Sequence, residues 1–168
     1  TMGICNPHEQ LYCCGSNVRP KPGDTTIVSQ SGNLGVQLLD FAEHEGIGIR
    51  AFGGSGNEAM ITIEDYMEAF EVDDLTRTVV LYLESVKNGR RFFESARRVG
   101  KQKPVVMLKG GRTRAGSRAA ASHTGALASD LRVLRPMIER DRSRVDAIVN
   151  VHGLTSTGQE RGKSLSEG

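Results

Sequence analysis

From about residue 25 onward, short apolar runs alternate with amphipathic stretches. Thr26-Ile27-Val28 predicts a strand. Leu34, Leu38, Phe41, Ala42 and Glu45 then recur at helical spacing, and Gly46 is placed to end that helix. Ile47–Phe52 predicts a second strand, and 63–72 a second helix with Tyr66, Met67 and Phe70 on one side. Thr78–Leu83 is the most continuous strand pattern in the chain. Phe92, Phe93, Ala96 and Val99 mark a third helix that stops at Gly100, with both phenylalanines expected in the core. Pro104–Leu108 predicts a fourth strand. Leu131–Ile138 has a helical period that Pro136 would kink or end. Ala147–Val151 predicts a fifth strand.

The first residues break this alternation. Asn6-Pro7, Arg19-Pro20 and Lys21-Pro22-Gly23-Asp24 punctuate a stretch without a period, which predicts a lead-in and no core element. The tail from Gly153 is polar and is expected to be loose. The expected organisation is a lead-in at 1–24, one domain at 25–151 and a tail at 152–168. Apolar strands separated by helices indicate a parallel sheet covered on both faces. Five of them in 168 residues favour a flavodoxin-like fold over a barrel: α/β, a doubly wound five-stranded parallel sheet with helices on both faces.

Composition narrows the function classes. A chain that is 38% hydrophobic and 25% charged is not a disordered polyelectrolyte. Three cysteines are too few for a disulfide scaffold, and the adjacent Cys13 and Cys14 match no zinc spacing. A reduced, cytoplasmic setting is the simplest expectation. No apolar run approaches the roughly 20 residues that cross a bilayer, so no membrane role is expected, and the first residues do not read as a basic-then-apolar leader. The net charge of +2 hides an asymmetry: residues 1–86 hold 4 basic and 13 acidic side chains, whereas residues 87–118 hold 11 basic and one acidic. The basic block suggests an anionic partner, or else a solvated helix face with its flanking loops. Its only aromatics are Phe92 and Phe93, so nucleic acid is not an expected partner.

Ligands of an open α/β sheet bind beyond the carboxyl ends of its strands. Small and polar residues follow the expected strands there: Ser29–Gly35, Gly53–Glu58, Glu84-Ser85, and Lys109 through Gly125. Ser29, Gln30, Ser31, Gly32 and Asn33 lead into a helix. Free N–H groups and the helix dipole at that point favour a phosphate, while ordinary capping by Ser31 or Asn33 accounts for the same residues. His123 lies among small residues that leave it open to a bulky ligand. It is a candidate base, ligand or nucleophile, and a plain surface histidine is the alternative. No second His or Cys lies at metal spacing, so no metal site is expected. Glu84 ends an apolar strand. It either faces the ligand edge, where it would orient an imidazole, or caps the next helix.

These segments together resemble the NDP-forming acyl-CoA synthetases. The resemblance rests on Val28-Ser29-Gln30-Ser31-Gly32-Asn33-Leu34-Gly35, on Leu83-Glu84, on Lys109-Gly110-Gly111-Arg112 and on Ala120-Ala121-Ser122-His123-Thr124-Gly125-Ala126-Leu127-Ala128. It extends from about Gly3 to Ser129 and preserves order and spacing. It implies that acyl-CoA, phosphate and ADP or GDP interconvert with free acid, CoA and ATP or GTP through a phosphohistidine. By motif, His123 matches that histidine and Glu84 the acid that orients it. Ser29–Asn33 match the phosphate-cradling loop, and Gly110, Gly111 and Arg112 are candidates for cofactor contact.

The implied cofactors are coenzyme A and a Mg-nucleotide in the complete enzyme, with none held tightly by this chain. The implied partners are a CoA-binding domain, whose end Gly3–Pro7 resembles, and an ATP-grasp domain or subunit. Beyond Ser129 the likeness fades into an arginine-rich stretch, for which a frameshift or truncation is one explanation. Two other readings stand beside the enzyme. One is a regulatory module of the kind fused to acetyltransferases, where the active histidine is expected to be missing. The other is an inactive remnant.

Overall fold

The computed structural model describes residues 2–110 and the backbone of 147–149. Seven strands form one mixed sheet: β1 (Gly3–Asn6), β2 (Leu11–Cys14), β3 (Pro22–Ser29), β4 (Ile49–Gly54), β5 (Thr78–Leu83), β6 (Val105–Lys109) and β7 (Ala147–Val149). Three helices are α1 (Gly32–His44), α2 (Ile63–Val72) and α3 (Gly89–Gly100). The strand order is β2-β1-β4-β3-β5-β6-β7. β3 to β7 pair in parallel, and β1 pairs antiparallel with both β2 and β4.

The architecture is the flavodoxin-like α/β one, but the sheet is larger than five strands. The period-free stretch contributes two strands and a short 3-10 turn at Pro7–Glu9. Only Cys5 and Pro7 are buried in these elements, so no apolar alternation announces them. Ladder hydrogen bonds hold them instead, β2 to β1 and β1 to β4. Burial, and then neighbouring Cys14, pushes the Cys5 thiol up to about 11.

Alternation along β3 and β5 feeds two cores, one on each face of the sheet. Val28, Val79, Leu81, Leu83, Val105 and Met107 pack with Met67 and Phe70 of α2 and with Phe92 and Val99 of α3. Ile27, Ile49 and Phe52 pack with Leu39 and Ala42 of α1 on the other face. The buried stripe of α1 is Gly35, Leu39 and Ala42, whereas Phe41, which falls at helical spacing with Leu34 and Leu38, is 57% exposed. Gly35 sets this rotation: a Cβ there would sit 2.8 Å from the Phe52 ring, so the glycine lets the helix lie close to β4. Gly46 ends α1 at φ 69°, and Ile47 N–H bonds the Ala42 carbonyl beyond it. On α3, Phe92 is buried and Phe93 only half-buried, so just one of the two serves the core.

The described part of the basic block, residues 87–110, is largely answered within the fold. Arg91 bonds Asp65 at 2.7 Å and Glu68 at 2.6 Å, and Arg98 bonds Glu71 at 2.8 Å. Lys103 caps the carboxyl end of α2 through the carbonyls of Phe70 and Asp73. The solvated-helix alternative therefore accounts for these cations, which face α2 across the helix pair. No helix among the described residues is long and apolar enough to cross a membrane. The expected helix at 131–138, the tail, Val151 and the residues around His123 lie outside the described residues.

Candidate functional site

Polar groups converge at the carboxyl edge of the sheet, as the topology requires of a ligand edge. Ser29 ends β3, fully buried, and its Oγ donates to the Ser31 carbonyl at 2.6 Å. Ser31 is the N-cap of α1, with its Oγ 3.5 Å from the Leu34 N–H it accepts. Gly32 and Asn33 are the first helical residues, whose N–H groups have no intrahelical acceptor. The capping reading holds for Ser31, which serves Leu34, and Gly32 and Asn33 form the first turn that follows it.

Gln30 is more constrained than its place in this loop suggested. Its carboxamide makes four bonds. Nε2 donates to Glu58 Oε1 at 2.8 Å and to the Ser85 carbonyl at 2.8 Å. Oε1 accepts from Glu84 N–H at 2.5 Å and from Ser85 N–H at 2.9 Å. The side chain thus has no capacity left for an anion and ties the loops after β3, β4 and β5 together.

Glu84 is 5% exposed, and its Oε2 has no hydrogen-bond partner. It does not cap α3. Asn88 does, through Oδ1 to the Arg91 N–H. Of the two roles read for Glu84, capping is therefore taken by Asn88, and Glu84 stands at the carboxyl end of β5. Burial, and then the Glu84 carboxylate to which it hydrogen-bonds, pushes the Tyr82 phenol up to about 12. Lys109 ends β6 with a buried ammonium that donates to the carbonyls of Glu84 at 2.8 Å and Gly110 at 2.6 Å. Burial lowers its pKa, against a raising effect of Glu84.

Gly110 donates its N–H to Leu83 and gives its carbonyl to Lys109. A Cβ there would lie 2.5 Å from the Tyr82 hydroxyl, so glycine is required by Tyr82 packing. Gly110 therefore offers a cofactor no free backbone donor. Gly111, Arg112 and His123 lie outside the described residues.

Two further buried carboxylates were not legible as site residues. Glu58 bonds Gln30 through Oε1, while its Oε2 has no partner. Burial raises its pKa, partly offset by the Gln30 hydrogen bond. Glu64, in the first turn of α2, accepts the Asn88 N–H at 2.8 Å and also leaves Oε2 unpartnered. The one signal for Glu58 was its position at the end of the glycine-rich loop after β4. Among the described residues, no group of three His, Cys, Asp or Glu could hold a metal ion. A concavity of about 450 Å³, lined by His8, Lys21, Asp24, Asp74 and Arg77 among others, opens at the opposite, amino-terminal ends of the strands.

A flavodoxin-like sheet whose carboxyl edge carries a capped Ser-Gln-Ser loop beside a buried glutamate with one unpartnered oxygen defines a class of α/β domain. The family model for the succinyl-CoA ligase-like flavodoxin domain matches residues 22–154, and the chain belongs to that family. Over 112 residues it is 46% identical to the alpha subunit of acetate–CoA ligase (ADP-forming) I of Pyrococcus furiosus, covering 67% of this chain and 24% of that protein. It is 41% identical over 129 residues to acetate–CoA ligase (ADP-forming) of Methanocaldococcus jannaschii, covering 77% of this chain and 18% of that protein. Among solved structures it is similar to dinucleotide-forming acetyl-coenzyme A synthetase 1 of Ca. Korarchaeum cryptofilum in complex with phosphate and ADP. That match has a TM-score of 0.77 at 31% identity and covers 89% of this chain and 32% of that one. The chain thus spans a third or less of the length of each of these relatives.

Proposed function

We propose that the chain is the doubly wound, phosphohistidine-bearing module of an NDP-forming acyl-CoA synthetase. The observation that supports this most is the Ser29–Ser31 loop, capped onto α1 and hydrogen-bonded through Gln30 to the backbone of buried Glu84. In the proposed reaction, neutral imidazole of His123 attacks the phosphorus of an acyl phosphate. The bond from phosphorus to the acyl oxygen breaks, and the free carboxylate leaves. The phosphoryl group then passes from His123 to ADP or GDP. Glu84 accepts the imidazole N–H and offsets the ring's positive charge. The N–H groups of Gly32 and Asn33, with the α1 dipole, receive the phosphoryl oxygens.

The complete reaction needs parts beyond this domain. These are a CoA-binding domain, to which residues 1–24 would connect, and an ATP-grasp domain or subunit that holds the Mg-nucleotide. Small carboxylic acids and their CoA thioesters are the substrates of the assembled enzyme, in a cytoplasmic setting, with no role for nucleic acid or a membrane. The test is phosphoryl uptake from [γ-32P]ATP in the presence of an ATP-grasp partner protein. Wild type should gain acid-labile phosphate and His123→Asn should gain none. Equal labelling of the two would remove His123 from the reaction.

A further inference from the structure

Glu58 combines three unfavourable features in one residue. It sits at φ 57°, in the left-handed region that glycine or asparagine adopts at less cost. Its side chain is 2% exposed, so its carboxylate is nearly stripped of water. One of its two oxygens has no partner. The backbone holds this conformation from both sides: Glu58 N–H bonds the Ser55 carbonyl at 3.2 Å, and Lys87 Nζ donates to the Glu58 carbonyl.

What the arrangement achieves is a single orientation of the Gln30 carboxamide. Two backbone N–H groups, of Glu84 and Ser85, require the oxygen of Gln30 on one side. Glu58 Oε1 and the Ser85 carbonyl require the nitrogen on the other. A flipped carboxamide would face donor with donor and acceptor with acceptor at all four contacts. A strained, buried glutamate bonded to Gln30 suits positioning better than stability.

We propose that Glu58 is a positioning residue that acts through Gln30: it fixes the carboxamide that holds Glu84 in place and joins Glu84 to the Ser29–Ser31 loop. Its consequence for catalysis rests on the phosphohistidine reading above, whereas its structural half does not. Glu58→Ala removes the acceptor. Glu58→Gln keeps a carbonyl oxygen in the same place and serves as the conservative rescue.

The first readout is amide hydrogen exchange of the full chain by NMR. Glu58→Ala should speed exchange of the Glu84 and Ser85 amides about tenfold or more, with the Val79–Leu83 amides unchanged, and Glu58→Gln should restore wild-type protection. Unchanged protection in Glu58→Ala, or equal loss in both variants, would overturn the proposal. Should Glu58→Ala fail to fold, the comparison passes to Glu58→Gln against Glu58→Asp, whose shorter side chain withdraws the acceptor; equal protection in those two would overturn it.

The second readout is phosphoryl uptake from [γ-32P]ATP with an ATP-grasp partner, expected to fall about tenfold in Glu58→Ala and to return in Glu58→Gln. Uptake retained in Glu58→Ala despite lost protection would refute the catalytic consequence. No uptake even in wild type, with the exchange result as expected, would refute the phosphohistidine reading and leave the positioning role supported.

Discussion

The two charged regions of this domain are built on opposite rules. Between α2 and α3, Arg91 and Arg98 meet Asp65, Glu68 and Glu71 where solvent still reaches them. At the carboxyl edge, Glu58, Glu64 and Glu84 are buried, and each leaves an oxygen without a partner. The first arrangement lowers the carboxylate pKa values. Asp65 is lowered by the Thr62 backbone bond and then by Arg91, and Glu68 chiefly by the Arg91 bond. The second raises that of Glu58, because burial outweighs its hydrogen bonds. Exposed, paired charge joins two helices at little gain. Burying a carboxylate with one oxygen left unpartnered costs stability.

The sharpest way to break this contrast is at Glu84. Glu84→Gln should lower phosphoryl uptake by His123 about 100-fold or more while leaving thermal stability no worse. A large drop in Tm with normal uptake would make Glu84 structural. Next is the contact of α1 with Phe52 and Ser29, beneath the loop that follows β3. Gly35→Ala forces a Cβ against Phe52 and should cost about 1–3 kcal/mol in denaturant unfolding, because overpacking there must shift α1.

Glu58→Gln has a smaller effect with a definite pH signature. The folded-state pKa of Glu58 lies above its ordinary value of 4.5, so the folded state binds the extra proton. Wild type therefore loses stability relative to this variant as pH rises from 4.5 through the folded pKa, and the two converge below 4.5. Equal stability of the two across that range would show that the carboxylate carries no burial cost.

The smallest effect belongs to the helix pair. Arg91→Ala should lower Tm slightly, with a loss that shrinks in high salt, and leave phosphoryl uptake unchanged. The sign for its partners is opposite to that of Glu58: their lowered pKa values give stability present above 3.8 for Asp65 and 4.5 for Glu68, lost as pH falls further.

Most of this fold was legible where the core is apolar. β5 and α2 fall on Thr78–Leu83 and Ile63–Val72 because continuous or helical burial writes itself into residue type. β1 and β2 were illegible for the converse reason: they are half-exposed at the sheet edge and held by backbone bonds, which leave no pattern. β6 runs one residue past its apolar run because Lys109 is a buried charge, which hydropathy reads as an end.

In the site, Glu84 was legible as a carboxylate closing an apolar strand. The bond from Gln30 to Glu58 was not, since the two are 28 residues apart and meet only once β3 and β4 pair. Phe41 shows the limit of period alone: several stripes on α1 fit helical spacing, and Gly35 selects the one that packs.

The central claim is that this carboxyl edge handles a phosphoryl group on His123. The direct measurement is an intact-mass spectrum of the protein from its own source, kept at neutral pH and followed by peptide mapping. One acid-labile phosphoryl group on His123, lost in His123→Asn, is the predicted result. A protein that carries no phosphate there, even after incubation with ATP and an ATP-grasp partner, would contradict the account.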